Sequence, residues 1–315
     1  MKKNIYLLLT LAAVFSCIAC CSKNSFNPPV NQNGKINVTA TIFPPFDFVR
    51  NIAKDRVNLA MLLPPGSESH SFEPSPRDII TIRNSGIFIY GGGESDKWID
   101  VILKSMDTGS IKILSMMEAV DVVEEEITEG MEDNDNEDDT PYDEHVWTSP
   151  QNAILIVRAI TDLLCEADPD NAGFFRQNAA LYIESLEGLD TAFKTIVSGA
   201  KRSTIVFADR FPFRYFTEAY GLSYFAAFPG CSAETEPSAA TIAFLINKVR
   251  AEQIPVVFHI EFSNERMADT ICGETGASKL LFHSCHNVSR KDIEASPGYL
   301  ELMANNAENL RKALY

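Results

Sequence analysis

Residues 168–199 read DPDNAGFFRQNAALYIESLEGLDTAFKTIVSG, and this stretch sets the architecture. Asp168 followed by Pro169 is a helix start signal, because Asp caps the first turn and Pro fits its first position. Apolar side chains then recur at helical spacing, at Phe174, Leu181, Leu186, Leu189 and Phe193. We predict one helix from residue 171 to about residue 199. At a rise of about 1.5 Å per residue it is long enough to run the height of two lobes, as a stiff connector.

Short apolar runs alternate with amphipathic stretches on both sides of this helix. Before it, strands are predicted at 36–42, 57–63, 86–90 and 111–114, with helices at 46–53, 77–83 and 98–104. After it, strands are predicted at 204–207, 255–258 and 279–282, with helices at 239–251, 265–274 and 298–314. The alternation predicts an α/β fold with parallel sheets. We therefore expect two similar lobes, 35–167 and 200–315, joined by a linking helix within 168–199.

The N-terminus has the features of an export signal. Lys2 and Lys3 precede an apolar stretch at 5–19, which is too short for a comfortable membrane span. Cys20 directly follows a small residue, so we predict a signal peptide at 1–19 and a lipidated Cys20 that anchors an extracytoplasmic protein to the membrane. The lipobox is imperfect, which leaves Cys21, or a plain secretory signal, as alternatives. Residues 20–34 would then form a tether.

Acidic residues are concentrated in one segment. The chain has 315 residues, 45% of them hydrophobic, and a net charge of −16. Residues 118–144 hold 14 Asp and Glu and no Lys or Arg, so the rest of the chain is nearly neutral. We predict a mobile acidic loop that either collects divalent cations weakly or is simply solvated. Neither a basic patch with aromatics nor a P-loop is present, so nucleic-acid binding is not expected.

Cysteine and histidine supply the remaining candidate chemistry. Four cysteines lie beyond the predicted tether; Cys272 and Cys285 are close enough in sequence to form a disulfide, or all four are free thiols. The five histidines follow strands or precede helices, where ligands bind in open α/β sheets. Several converging imidazoles suit zinc, whereas a carboxylate-rich shell would favour manganese. The histidines are His70, His145, His259, His283 and His286.

Two motifs around these histidines resemble those of a known family. The segments are His70-Ser71-Phe72-Glu73-Pro74 and, more specifically, the run from Asp143 to Pro150 that contains His145. Both are similar to ligand motifs of the zinc and manganese substrate-binding lipoproteins of bacterial ABC transporters, the ZnuA/TroA-like group. The acidic run before His145 lies where zinc-specific members carry a charged loop, and residues 299–314 resemble the family's last helix.

The resemblance implies a metal site in the cleft between the lobes, with two departures in the second lobe. Ala208 stands where the family has its third ligand, and Asp209 is the nearest donor. His283 stands where the family offers an Asp, so we expect His283 to be the ligand, with His286 as the alternative. His259 and Glu261 are weaker candidates. The expected metal set is therefore His70, His145, His283 and Asp209.

The resemblance also implies a function. We expect a monomeric protein, not an enzyme, that captures zinc, with manganese or iron as the alternative, and delivers it to a membrane permease. We expect affinity to fall below about pH 6.5, because a ligating imidazole must be neutral. A lipid-anchored zinc hydrolase is the competing function, although the sequence lacks a His-Glu-x-x-His helix. A surface adhesin is a third possibility.

Overall fold

The computed structural model describes residues 34–131, 141–232, 237–291 and 297–315. The predicted signal peptide, Cys20 and the tether up to residue 33 lie outside these ranges. Within them, no helix combines the length and the apolar character that a membrane crossing requires. The cysteines at 165, 231, 272 and 285 are all free thiols, so the Cys272–Cys285 disulfide is not formed.

The first lobe is built on a parallel sheet of four strands in the order β2-β1-β3-β4. Its central strand, β1, pairs Val38 with Leu59 of β2 and with Ile87 of β3. Helices follow the strands, as the alternation predicts. The elements are β1 (Asn37–Ala40), α1 (Phe43–Ala53), β2 (Asn58–Met61), α2 (Pro76–Arg83), β3 (Ile87–Tyr90), α3 (Lys97–Ser105) and β4 (Lys112–Ser115).

The second lobe repeats this plan, with four parallel strands in the order β6-β5-β7-β8. Two of its elements, α6 and β6, were not predicted. The strand β6 lies at the edge of the sheet and has no polar alternation in its sequence, so a period-two pattern does not reveal it. The elements are β5 (Thr204–Phe211), α6 (Arg214–Tyr220), β6 (Ser223–Pro229), α7 (Ala239–Ala251), β7 (Val256–His259), α8 (Arg266–Thr275), β8 (Ser278–Leu281) and α9 (Tyr299–Leu314).

The 27-residue α5 (Ala172–Ser198) links the lobes and packs along α4 (Pro150–Ala167), whose other main contacts lie in the first lobe. The predicted cap is confirmed, because the Asp168 side chain accepts a hydrogen bond from the Asn171 amide at 3.2 Å. The predicted buried face is partly wrong: Leu181 is 59% exposed. The face is shifted instead to Phe175, Ala179, Tyr182, Ile183, Leu186, Leu189, Phe193 and Ile196.

One hydrophobic core runs through both lobes. It includes Phe48 of α1, Phe193 of α5, Phe207 of β5 and Tyr299 of α9, all fully buried. A smaller cluster lies on the outer face of each sheet. Each sheet is therefore covered on both faces, as parallel sheets require. Because α5 packs on α1, α4, α6 and α9, it forms part of this shared core.

The acidic segment, for which the sequence predicts a mobile loop, is described by the structure only at 118–131 and 141–144. Its described ends pair with each other, since the Glu125 amide donates to Pro141 O and the Asp143 amide donates to Val123 O, both at 2.9 Å. The first end also lies on the second lobe, where Arg214 pairs with Glu126 at 3.4 Å. Cationic and hydroxyl partners offset the repulsion that favours a solvated loop. Residues 132–140 lie outside the described part.

Candidate metal centre

His70 lies in the loop between β2 and α2. The loop ends at a capping box, in which Ser75 and Asp78 satisfy each other's backbone amides. The His70 Nδ1 atom lies 2.7 Å from Ser95 Oγ and 3.5 Å from Glu144 Oε1. Glu144 is fixed in turn, because its Oε2 accepts from the Ser95 amide at 2.9 Å. The ring of His70 is thereby oriented through its Nδ1 edge.

His145 precedes a short turn, Val146–Thr148, that leads into α4. The Asp143 Oδ1 atom accepts from the His145 amide at 2.7 Å and lies 3.0 Å from its ring Nδ1. The side chain is completely buried. Its Nε2 atom has no hydrogen-bond partner in the part of the chain that the structure describes. An unpartnered buried nitrogen is costly, so this atom is suited to an incoming ligand.

His286 comes from the second lobe, in the loop that follows β8. The preceding residue, Cys285, adopts a left-handed backbone with φ of 60°, which turns the chain toward the cleft. The His286 Nδ1 atom lies 3.1 Å from Ser69 Oγ of the first lobe. The ring packs on Trp147, with the centroids 4.8 Å apart. Contacts across the cleft therefore hold this ring beside the first-lobe histidines.

The three rings converge on one point. A ring nitrogen from each of His70, His145 and His286 lies within 4.8 Å of those of the other two. In each ring Nδ1 contacts a side-chain oxygen, so Nε2 is the nitrogen that remains available. Orientation of metal-binding imidazoles through the opposite nitrogen is the usual arrangement in metal sites. No carboxylate or thiolate joins this group within the described ranges.

Burial and charge keep two of these imidazoles neutral. Burial, together with the charges of His145 and Arg210, lowers the pKa of His70 to about 3. The same kinds of effect lower the pKa of His286 well below its ordinary value. His145 behaves differently: burial lowers its pKa, but the charge and hydrogen bond of Asp143 outweigh this and raise the pKa overall. Neutral imidazole is the form that binds a metal.

His283 does not join the group, contrary to the sequence-based preference for it over His286. Its Nδ1 atom accepts from the Cys285 amide at 2.9 Å, and its backbone amide donates to Asn306 Oδ1 of α9 at 2.7 Å. The ring thus supports the turn that presents His286. His259 likewise faces its own strand end, with Nδ1 3.0 Å from Ile260 O.

Asp209 is also outside the group. Its carboxylate accepts from the Ile260 amide at 3.2 Å and from the Arg210 amide at 2.9 Å, so it joins the ends of β5 and β7. Burial raises the pKa of Asp209. Ala208 is buried in the outer core of the second lobe. Neither residue therefore fills the position of a third ligand.

Arg210 is the residue at this strand end that reaches the site, and sequence reasoning missed it as a site residue. Between β5 and β6 the pairs Phe207–Ala226 and Arg210–Phe228 enclose one extra residue on β5. Such a bulge re-aims the side chains that follow it. Arg210 consequently lines the cavity that contains His70, His145 and His286. The sequence signal that could have identified Arg210 was the presence of a basic residue next to Asp209, a predicted ligand.

Comparison with known proteins identifies the family of the chain. The profile of the family described as "Zinc-uptake complex component A periplasmic", or ZnuA, matches residues 38–313. The chain belongs to the ZnuA family. The expected family is thereby confirmed.

Members of the ZnuA family resemble the chain along almost its whole length. The "High-affinity zinc uptake system protein ZnuA" of Bacillus subtilis is 29% identical over 310 residues, covering 98% of this chain and 97% of that protein. The "Zinc-binding lipoprotein AdcA" of Streptococcus pneumoniae is 31% identical over 316 residues, which is 99% of this chain but 61% of AdcA.

A solved structure shows the same likeness. The Zn(II)-bound ZnuA-like domain of Streptococcus pneumoniae AdcA is 29% identical to this chain and superposes with a TM-score of 0.74. The match covers 89% of this chain and 99% of that domain. The chain therefore shares its fold with a domain that has been seen with zinc.

Proposed function

We propose that this protein captures a zinc ion in the cleft between its lobes and delivers it to the permease of an ABC transporter for import. The convergence of three imidazoles from two lobes carries this proposal. The ligands would be Nε2 of His70, His145 and His286. Membership of a zinc-uptake family, and relatives whose names describe zinc binding and zinc uptake, support the same function.

The donor set favours zinc over manganese. Zinc is bound by imidazole at about 2.0–2.1 Å in tetrahedral sites, which places neighbouring nitrogens roughly 3.4 Å apart. Here the three nitrogens lie within 4.8 Å of one another, so small ring movements bring them to that spacing. Manganese prefers carboxylate and water ligands, and no carboxylate is part of the group among the described residues.

Closure of the cleft and metal binding depend on each other in this arrangement. His70 and His145 belong to the first lobe and His286 to the second, so an ion bound by all three holds the lobes together. A hydrogen bond also joins the lobes directly, because Trp147 Nε1 donates to Ser284 O at 2.8 Å. Release would require a partner that favours separated lobes, and a docked permease can supply that bias.

Transport is a better account than hydrolysis. The buried carboxylates nearest the group contact imidazole nitrogens, Asp143 at His145 and Glu144 at His70. These contacts orient ligands, whereas a hydrolase needs a carboxylate aimed at a metal-bound water. We further propose that the protein works outside the cytoplasm as a monomer, anchored by a lipid on Cys20.

Calorimetric titration of metal-free protein with zinc tests the proposal. We expect one ion per chain, with His286→Ala losing at least about a hundredfold in affinity because one of three ligands is removed. His259→Ala is the matched control, since this histidine also follows a strand of the second lobe but lies outside the group, with its Nδ1 atom 3.0 Å from Ile260 O, and it should stay within about threefold. Equal losses in both variants, or no tight zinc binding by the unaltered protein, would contradict the proposed site.

A further inference from the structure

A cation lies at the edge of the three-histidine group. The Arg210 side chain is 12% exposed and lines the same cavity as the three imidazoles. Its charge is close enough to contribute to the lowered pKa values of His70 and His286. A fixed positive charge beside a binding site for a dication weakens binding unless something offsets it.

Glu68 provides that offset, and it does so across the cleft. Arg210 of the second lobe donates to both carboxylate oxygens of Glu68 in the first lobe, at 2.9 Å to Oε2 and 3.4 Å to Oε1. The pair is therefore bidentate, which fixes both position and orientation. Arg210 also reaches Ser232 O at 3.5 Å.

Because of where Glu68 lies, the Glu68–Arg210 pair can affect which metal is bound. Glu68 is two residues before His70 in the chain, and its Oε1 atom lies 3.5 Å from the His70 amide nitrogen. It lines the same cavity as the imidazoles. The charge of this carboxylate acts on His70, yet the guanidinium of Arg210 engages both of its oxygens.

We propose, building on the zinc-binding function above, that Arg210 is a selectivity residue that withholds the Glu68 carboxylate from the bound metal. With Glu68 held, the protein offers three imidazoles and no anionic ligand, a set that suits zinc and serves manganese poorly. The same arrangement limits the affinity for zinc, which a protein that must release its cargo requires. Arg210 acts through Glu68 and does not itself touch the metal.

Removal of the guanidinium tests this inference. In Arg210→Ala we expect zinc affinity to rise about tenfold or more, because the cation is lost and a carboxylate becomes available. Manganese binding should appear, measured by loss of the electron paramagnetic resonance signal of free Mn²⁺. Both gains should disappear in the double variant Glu68→Gln/Arg210→Ala. A purely structural role for Arg210 would not produce a gain that depends on Glu68.

Arg214→Ala is the matched control, because Arg214 also pairs with a glutamate across the lobes, Glu126 at 3.4 Å, but does not line the cavity. It should leave both metal affinities unchanged. Weaker zinc binding by a folded Arg210→Ala protein would overturn the inference and show that the pair is a latch between lobes. Unchanged zinc and manganese affinities would also overturn it. Either result leaves the proposed function intact if the unaltered protein binds zinc and His286→Ala does not.

Discussion

Acidification should weaken zinc binding far less than three ordinary histidines would. A histidine with a pKa of about 6.5 loses roughly 16-fold in metal affinity between pH 6.5 and pH 5.0, so three of them would lose roughly 4000-fold. Here the pKa of His70 is lowered to about 3 and that of His286 is also lowered, so both stay neutral across this range. Only His145, whose pKa is raised, is protonated in it.

The expected loss of zinc affinity is therefore the one caused by protonation of a single imidazole. With a pKa above 6.5, His145 alone gives a decrease of roughly 16- to 30-fold between pH 6.5 and pH 5.0. Competition of the protein with a chromophoric chelator, across pH 5.0 to 7.5, measures this slope. His259→Ala serves as a control, because this imidazole lies outside the group and its removal should leave the slope unchanged. A loss of a thousandfold or more would refute the lowered pKa values.

Four further predictions concern stability, measured by chemical denaturation. Gly93→Ala should destabilise the protein by about 1–3 kcal/mol and weaken zinc binding, because φ is +80° and a Cβ atom would lie 2.6 Å from Glu144 Cβ. Gly173→Ala should instead stabilise the protein by about 0.5–1 kcal/mol, because Gly173 lies in a helix and a Cβ atom there would meet open space. Phe193→Ala should cost about 3–5 kcal/mol, since this buried ring packs edge-on against Phe216 at 4.9 Å and ties α5 to the second lobe; a cost below 1 kcal/mol would argue against that docking. Zinc at 100 times its Kd should add about 2.7 kcal/mol, and a chelator should abolish the gain; no shift with zinc would contradict specific binding to the folded state.

Much of the fold could be predicted because its signals are local. The Asp168-Pro169 start and the alternation of strands and helices located most elements to within a few residues. The exposed Leu181 shows the limit of that approach. A helix of 27 residues packs on several partners, so its buried face cannot be set by one stripe of large apolar residues.

The candidate site likewise contains residues that the sequence could identify and residues that it could not. His70 and His145 lie in motifs with strong local structure, including the capping box before α2 and the proline at the start of α4. The choice between His283 and His286 depends on the left-handed backbone of Cys285, a conformation that a non-glycine residue seldom adopts and that no sequence pattern marks here. Arg210 reaches the cavity only because β5 has a bulge. The sequence did not reveal either feature, because both depend on irregular backbone that residue type alone does not indicate.

A crystal structure of the zinc-loaded protein, with anomalous diffraction recorded at the zinc absorption edge, tests the central claim most directly. We expect one strong peak in the cleft, at about 2.0–2.1 Å from Nε2 of His70, His145 and His286. His283 and Asp209 should not contact it. A peak bonded to His283 or to Asp209, or zinc bound only by the acidic segment 118–144, would contradict the claim.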